Sequence, residues 1–321
     1  MKKRLIVVAI VCLGGWRLQM LGAETRRDDA LSTESVVLDV NKVKRSYLVH
    51  LPESDDKSKR WPVVIMFHGG GGNGKLAMSD TGWAAKADKE GFIAVFPEGT
   101  SPDPSRPGRF LGNPQTWNDG SKRPTVGAAE RGEADIAFVS AIIDDLKKRY
   151  QVNHRQIYVT GFSNGASLSF RIARELSSAV AAFAPVAGHD WVRNRPDRPV
   201  PVIYVVGAAD PLCPVAGGEV FIGRKPFGKK PGTREMLAKW VKLHKGLDKP
   251  RIVYDKNGAV GEAFSRPNEG ETVVLYTIDG HGHHWPGGKT LLGERIAGKN
   301  TSQLQATDVI WDFFKTHSLP K

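Results

Sequence analysis

Apolar residues along this chain gather into short, nearly unbroken blocks separated by stretches with helical spacing. Pro62–Phe67, Gly91–Pro97, Gln156–Thr160, Ala181–Val186, Pro201–Gly207 and Thr272–Ile278 are such blocks. They lack the alternation of a strand with one wet face, which suits strands covered on both sides. Val36–Val40 and Tyr47–Leu51 do alternate, as a hairpin or sheet edge should. Glu133–Tyr150 sets Ile136, Val139, Ile143, Leu146 and Tyr150 at helical spacing, with acids early and Lys147, Lys148 and Arg149 at the end, matching the helix dipole. Further helices are predicted near 79–89, at Ser163–Leu176, near 232–245 and at 302–316, the last opened by a Ser302-x-x-Gln305 capping box. Strands alternating with helices predict an α/β fold, a mostly parallel central sheet with helices on both faces. Two segments, Glu98–Gly132 and Leu212–Gly232, show no period. Both follow buried strands, so they are expected to wall a ligand crevice at the carboxyl edge of the sheet, with functionless insertions as the alternative.

Composition narrows the class. The 321 residues are 40% hydrophobic and 25% charged, in the globular range, and 35 Gly and 20 Pro without a period give no support to collagen, coiled coil or solenoid. At the N-terminus Lys2, Lys3 and Arg4 precede the apolar stretch Leu5–Gly15, and Leu21-Gly22-Ala23 ends in a small residue. Residues 1–23 therefore read as a signal peptide, with an uncleaved anchor as the competing reading, and residues 24–321 as one catalytic domain. The expected location is secreted or periplasmic, with no stable membrane association once the leader is gone. Removing 1–23 takes four basic residues and no acidic ones, so the net charge falls from +12 to +8. The basic residues are scattered among acids without interleaved aromatics, which argues against nucleic acid and leaves an acidic polysaccharide as a partner that the charge would favour. Cys12 leaves with the leader, and Cys213 alone makes no internal disulfide.

The chemistry lies in three places. Gly161-Phe162-Ser163-Asn164-Gly165 fits G-x-S-x-G between a strand and a helix, the context that gives the motif meaning. A side chain at either glycine would collide with a neighbouring element, and the helix N-terminus faces any charge developing at Ser163. A serine hydroxyl needs a base and an acid that orients it, in chain order Ser, Asp, His. Asp210 closes the strand Pro201–Val206 and is the candidate acid, with Asp190 and Asp279 as rivals. His281, His283 and His284 follow the last strand, and spacing does not choose among them. The histidines carry neither H-E-x-x-H nor a Cys/His pattern, so no metal and no cofactor are expected. The glycine run after His68 supplies a second donor for an oxyanion, giving the pair Gly70 and Asn164. Lys75 is followed by Leu76, so the run is not a nucleotide-binding P-loop.

These residues resemble the α/β-hydrolase esterases of the polyhydroxybutyrate depolymerase-like family, which overlaps with secreted feruloyl and acetyl xylan esterases. The resemblance covers roughly residues 40–315 and rests on the His68-Gly69 loop with Asn73-Gly74, Thr116-Trp117-Asn118, Gly161-Phe162-Ser163-Asn164-Gly165-Ala166 and Gly282-His283-x-Trp285-Pro286-Gly287, with Glu133-x-Asp135-Ile136 beside them. It implies that His283, just before x-Trp-Pro-Gly, is the catalytic histidine. His281 and His284 depart from the family's smaller residues, so local substrate contacts differ here. Trp117 and Trp285 are candidates to stack a sugar or an aromatic acid, packing being the alternative. The implied activity is serine ester hydrolysis through an acyl-enzyme, on feruloyl or acetyl esters of polysaccharides. The absence of an appended substrate-binding module makes a polyester depolymerase the second choice. A peptidase on the same fold and a noncatalytic carbohydrate-binding protein are the remaining alternatives. Composition is silent on oligomeric state.

Overall fold

The computed structural model describes residues 33–53, 58–110, 112–124, 126–267, 270–289 and 292–321. The leader assigned to 1–23 lies outside them. Among the described residues no helix is long and apolar enough to cross a membrane.

The continuous apolar runs become the middle of a ten-stranded sheet. β1 (Thr33–Val40) and β2 (Val43–His50) form an edge hairpin. After it come β3 (Trp61–Phe67), α1 (Gly74–Thr81), α2 (Trp83–Glu90), β4 (Ile93–Pro97), α3 (Gly127–Arg131), α4 (Asp135–Arg149), β5 (Val152–Phe162) and α5 (Asn164–Glu175). The second half runs β6 (Ala182–Val186), β7 (Val202–Gly207), β8 (Gly218–Ile222), β9 (Lys225–Lys230), α6 (Thr233–His244), β10 (Arg251–Lys256), β11 (Ala259–Phe264), β12 (Val273–Ile278), α7 (Glu294–Ala297) and α8 (Ala306–Phe314). The order across the sheet is β1-β2-β4-β3-β5-β6-β7-β12-β11-β10. Strands β4 through β12 in that order pair in parallel, and antiparallel pairs flank them at both ends.

Register shows how both faces are covered. Tyr158 pairs with Ala182 and Val159 with Phe183, so Tyr158 and Phe183 point to opposite sides. Tyr158 stacks on Phe314 of α8 at 4.7 Å, and Trp311 of the same helix stacks on Phe92 at 4.2 Å. On the other face Phe183 meets Phe170 of α5 and Trp240 of α6 at 5.4 and 4.7 Å. Every residue of β4, β6 and β7 is buried, as two-sided cover requires. This is the α/β-hydrolase arrangement.

Several expectations change. The helical stretch near 79–89 is two helices, broken at Gly82, whose φ of 72° suits glycine. The capping box at Ser302 does not form: α8 starts only at Ala306, with Gln305 as its N-cap and no side-chain cap. Leu212–Gly232 is not wholly irregular, since it holds the β8–β9 hairpin. The β10–β11 hairpin went unread although its turn, Asn257-Gly258, is a hairpin dipeptide, and both residues take the positive φ (52° and 78°) of a type I′ turn. In Glu98–Gly132 the only regular element among the described residues is α3.

Chain direction reverses at one point. From β3 the chain moves outward to β4 and returns on the other side of β3 as β5, a topological switch point where α/β sheets open a crevice. Phe67 and Gly161 pair there, at the carboxyl ends of both strands. A Cβ on Gly165 would fall inside 3.0 Å of the Phe67 and His68 carbonyl oxygens, whereas one on Gly82 would meet nothing within 4 Å. Gly165→Ala is therefore expected to lower the unfolding free energy by about 3 kcal/mol or more, and Gly82→Ala by about 1–2 kcal/mol from its backbone angle alone. Urea denaturation of the two variants checks this; equal losses would mean that the close approach is not the controlling contact.

Candidate active site

Four strand ends converge on the crevice. At the end of β5 the backbone turns directly into α5, and Ser163 sits at the crest with φ 54° and ψ −113°. A non-glycine residue in that region costs about 1–3 kcal/mol and persists only where its surroundings impose it. Here they do. A Cβ at Gly161 would run into the Gly165 backbone, and one at Gly188, after β6, into the Ser163 carbonyl and Ser167 N–H. The Ser163 N–H donates to Val186 O at 2.9 Å, which ties the crest to β6.

The ends of β7 and β12 bring the other two side chains. Ile278 pairs with Gly207, and Ala208 and Ala209 donate their N–H groups to Ile278 O and His281 O, so the two following loops travel together. Asp210 is 3% exposed. Its Oδ1 accepts from the Leu212 and Cys213 N–H groups, both at 2.8 Å, and its Oδ2 lies 2.7 Å from His283 Nδ1. Burial pushes this carboxyl up, but the His283 imidazole and those two N–H donors outweigh it, so the group is held below the usual carboxylate range. With Nδ1–H donating to the carboxylate, His283 Nε2 is left as acceptor for the Ser163 hydroxyl at 2.8 Å. Ser163, His283 and Asp210 thus form one hydrogen-bonded line.

The rivals are engaged elsewhere. Asp190 is buried against Arg174 at 2.5 Å and accepts from the Trp240 indole, while Asp279 is exposed on a turn. His281 is fully buried; its Nδ1 accepts from Thr301 N–H, which leaves Nε2–H to donate to His284 O. His284 Nε2 donates to Gly298 O. Geometry therefore separates three histidines that spacing left equivalent.

Gly70 lies beside the crest: a Cβ placed on it would be 3.8 Å from Asn164 Cβ. Gly71 and Gly72 spend their N–H groups on Gln115 O and Gly69 O, whereas neither of those bonds uses the Gly70 N–H. The Asn164 N–H belongs to the first turn of α5, where no intrahelical acceptor exists. The Asn164 side chain has a separate duty that the sequence did not disclose. Its Oδ1 accepts from Trp117 N–H at 2.7 Å, and its Nδ2 donates to Trp117 O and Asp119 Oδ2. Thr116-Trp117-Asn118 is a clasp. The Trp117 indole donates to His68 O at 2.9 Å, and Asn118 N–H donates to Asp135 Oδ2. Trp117 is 0% exposed, so its ring has no face for a sugar or aromatic acid, and its expected stacking role is replaced by this structural one.

Trp285 is 3% exposed and its indole donates to Thr307 Oγ1, yet its ring forms part of a cleft wall. The cleft is open to solvent and runs from Ser163 and His283 between Met66, Leu76, Phe162 and Trp285, with Phe110 also lining it. Phe110 is 48% exposed and packs on Gly71, where a Cβ would meet its ring at 2.5 Å. It comes from the Glu98–Gly132 segment, which does contribute to the wall. Among the described residues no group of three or more His, Cys, Asp or Glu side chains stands together in a way that could hold a metal ion.

With this geometry in view, a family model described as "Dienelactone hydrolase family" matches residues 48–221, more than half of the chain. The chain belongs to the dienelactone hydrolase family. It is 28% identical over 301 residues to the putative esterase NocK of Nocardia uniformis subsp. tsuyamanensis, covering 89% of this chain and 83% of that one. It is 26% identical over 283 residues to feruloyl esterase B of Piromyces equi, covering 86% of this chain but only 46% of that protein. Among solved structures, an acetyl xylan esterase from Aspergillus awamori superposes with a TM-score of 0.55 at 14% identity, over 79% of this chain and 94% of that one. That likeness is one of fold.

In this member of the dienelactone hydrolase family the glycine loop hangs on a neutral histidine. His68 Nδ1–H donates to Gly69 O at 2.8 Å and its Nε2 accepts from Gly99 N–H at 3.0 Å. Burial pushes its pKa down to about 4, and a second proton would remove the acceptor that Gly99 uses. The unfolded chain takes up that proton near pH 6.5, so the contribution of neutral His68 to stability is complete above 6.5 and is lost as the pH falls toward 4. Unfolding free energy is expected to decline across that window, and His68→Gln to flatten the decline, measured by urea titration at several pH values. An unchanged slope in the variant would remove His68 from this role.

Proposed function

We propose that this chain is a secreted serine carboxylic-ester hydrolase that works through an acyl-enzyme, with feruloyl or acetyl esters of polysaccharides as substrates. The observation that carries the reading is the line Ser163 Oγ–His283–Asp210, at 2.8 and 2.7 Å, set on a strained crest at the switch point of the sheet. In this reading His283 Nε2 takes the hydroxyl proton as Ser163 Oγ attacks the ester carbonyl. Asp210 stabilises the imidazolium that results and keeps the ring in the tautomer that accepts at Nε2. The oxyanion of the tetrahedral intermediate receives the N–H groups of Gly70 and Asn164, each worth ~10²- to 10³-fold in rate. Collapse expels the alcohol, which leaves with the proton from His283. Water then repeats the sequence on the acyl-Ser163 ester and releases the acid.

Three things support the substrate class: the apolar cleft beside Ser163, the names carried by the relatives, and the reading of residues 1–23 as a leader. Trp285 contributes to the wall of that cleft as one side of an acyl site.

Ser163→Ala is expected to lower kcat for 4-nitrophenyl acetate by ~10⁶ and Asp210→Asn by ~10⁴, with the fold intact. His281→Ala should instead lower the melting temperature through loss of its Thr301 bonds, with a smaller effect on kcat than His283→Ala. Wild-type turnover in Ser163→Ala would end the nucleophile assignment. Substrate class is tested by comparing methyl ferulate and acetylated xylan fragments with soluble hydroxybutyrate oligomers and a matched amide. Release of ferulate or acetate at the higher kcat/KM is the expected result; faster cleavage of the oligomers makes the protein a polyester depolymerase, and preferred cleavage of the amide makes it a peptidase.

A further inference from the structure

Around the crevice, three separate segments of the chain meet at a second place, where hydrogen-bond donors outnumber acceptors. Trp191 lies on the stretch that follows β6. The Arg123 guanidinium, from the Glu98–Gly132 segment, packs over its ring at 4.3 Å, and the Lys230 ammonium, at the end of β9, lies 5.5 Å from the ring centre. Arg123 donates to Asp119 Oδ2 at 3.1 Å, but Asp119 is already shared with Asn164 Nδ2 and Ser121 N–H. The Arg123 Nε–H and the Trp191 indole N–H are both buried with no acceptor among the described residues. Lys230 is 3% exposed; its ammonium donates to Phe227 O at 3.1 Å and lies 4.5 Å from the Phe227 ring centre, and it has no ion pair among the described residues. Asp119 acts on it only at a distance.

A buried cation without a counter-charge is costly, and each buried N–H without an acceptor adds its own desolvation cost. Here the Lys230 ammonium and the Arg123 Nε–H lie around the Trp191 ring, whose own N–H is the third such group. Burial and the neighbouring Arg123 push Lys230 down to about 8, so it still carries its charge at neutral pH. What the three donors lack is an acceptor with negative charge, and a carboxylate is the smallest organic group that supplies one with two oxygens. Solvent reaches the cluster, since Arg123 keeps 19% of its side chain exposed and Trp191 is half-buried. The reacting groups are close at hand: Asp119 joins Arg123 to Asn164, next to Ser163, while His189 stacks on Trp191 at 5.2 Å and lies 3.4 Å from Cys213 Sγ, whose backbone N–H holds Asp210.

We infer that Arg123, Trp191 and Lys230 bind a carboxylate carried by the substrate near the ester being cleaved. This rests on the esterase reading and narrows it to esters whose acyl or alcohol part is anionic, as in an ester on an acidic glycan.

Two pairs of small esters test the inference on the full chain. Methyl hemisuccinate against methyl succinamate places the charge on the acyl side; 3-acetoxypropanoate against 3-acetoxypropanamide places it on the alcohol side. Wild-type protein is expected to favour the anionic member of one pair by about tenfold or more in kcat/KM, and the pair that responds identifies the side. In Lys230→Met that ratio should fall to about one, and rising salt should shrink it in the wild type. Succinate should compete with 4-nitrophenyl acetate and succinamide should not, a comparison that needs no variant. Equal kcat/KM within both pairs, or a preference that survives in Lys230→Met, would leave the cluster a cation–π clasp and overturn the carboxylate site. Hydrolysis of 4-nitrophenyl acetate that Ser163→Ala abolishes is the control: if it is absent the esterase reading fails, and if it is present without a charge preference only the carboxylate site fails.

Discussion

Two backbones touch where β5 turns into α5, and the crevice is arranged around that contact. Because Gly165 has no side chain, α5 can start against the Phe67 and His68 carbonyls at the end of β3. The same closeness forces Ser163 into positive φ and lifts its hydroxyl out of the turn. It also sets Gly70, just after β3, beside Asn164, just after the crest. A steric condition at a single glycine therefore decides together how Ser163 is presented and what lies beside it. The strain at Ser163 is sustained by neighbours that cannot move apart without breaking the β3–β5 and β5–β6 ladders.

Around that contact the loops are irregular, and buried aspartates fix them. Asp135 pairs with Arg45 of β2 at 2.7 Å and accepts from Asn118 N–H, so the clasp that holds Trp117 is anchored to the sheet edge. Asp119 joins Arg123 to Asn164. Asp190 joins the stretch after β6 to α5 through Arg174 and to α6 through Trp240. Asp210 joins the loop after β7 to His283. Buried pairs of this kind add little net stability, because desolvation offsets most of the attraction, but breaking one is costly. Their effect is to allow one loop arrangement rather than many. Lys230 stands outside this pattern as a buried cation with no aspartate of its own.

Much of the frame was legible from periodicity and local sterics. Pro62–Phe67, Ala181–Val186 and Pro201–Gly207 are strands because unbroken apolar runs of that length have to be covered on both faces, and α4 follows from 3.6-residue spacing with charges that suit its dipole. The turn at Ser163 was legible because the clash at Gly161 and Gly165 involves residues four apart in sequence. The β8–β9 hairpin was not, since its exposed Lys and Glu positions leave no clear alternation, whereas the Asn257-Gly258 turn of β10–β11 is a local signal that the strand pattern alone passed over. Nor was the failure of the capping box, because Gln305 caps α8 with its backbone and Ser302 lies outside the helix.

Which groups meet across long separations was decided by the order of strands. The chain alone determined that a nucleophile-type turn follows β5, that an aspartate follows β7 and that histidines follow β12. The resemblance singled out His283 among them, and the pairing of β7 with β12 brought the loop that carries it to Asp210. Only the packing of the Thr116–Asn118 clasp turned Trp117 inward, and only the convergence of three loops put Arg123 and Lys230 on Trp191. Local sequence restricts a residue's own backbone and exposure, whereas a contact between residues dozens of positions apart depends on how the whole sheet closes, which no local pattern encodes.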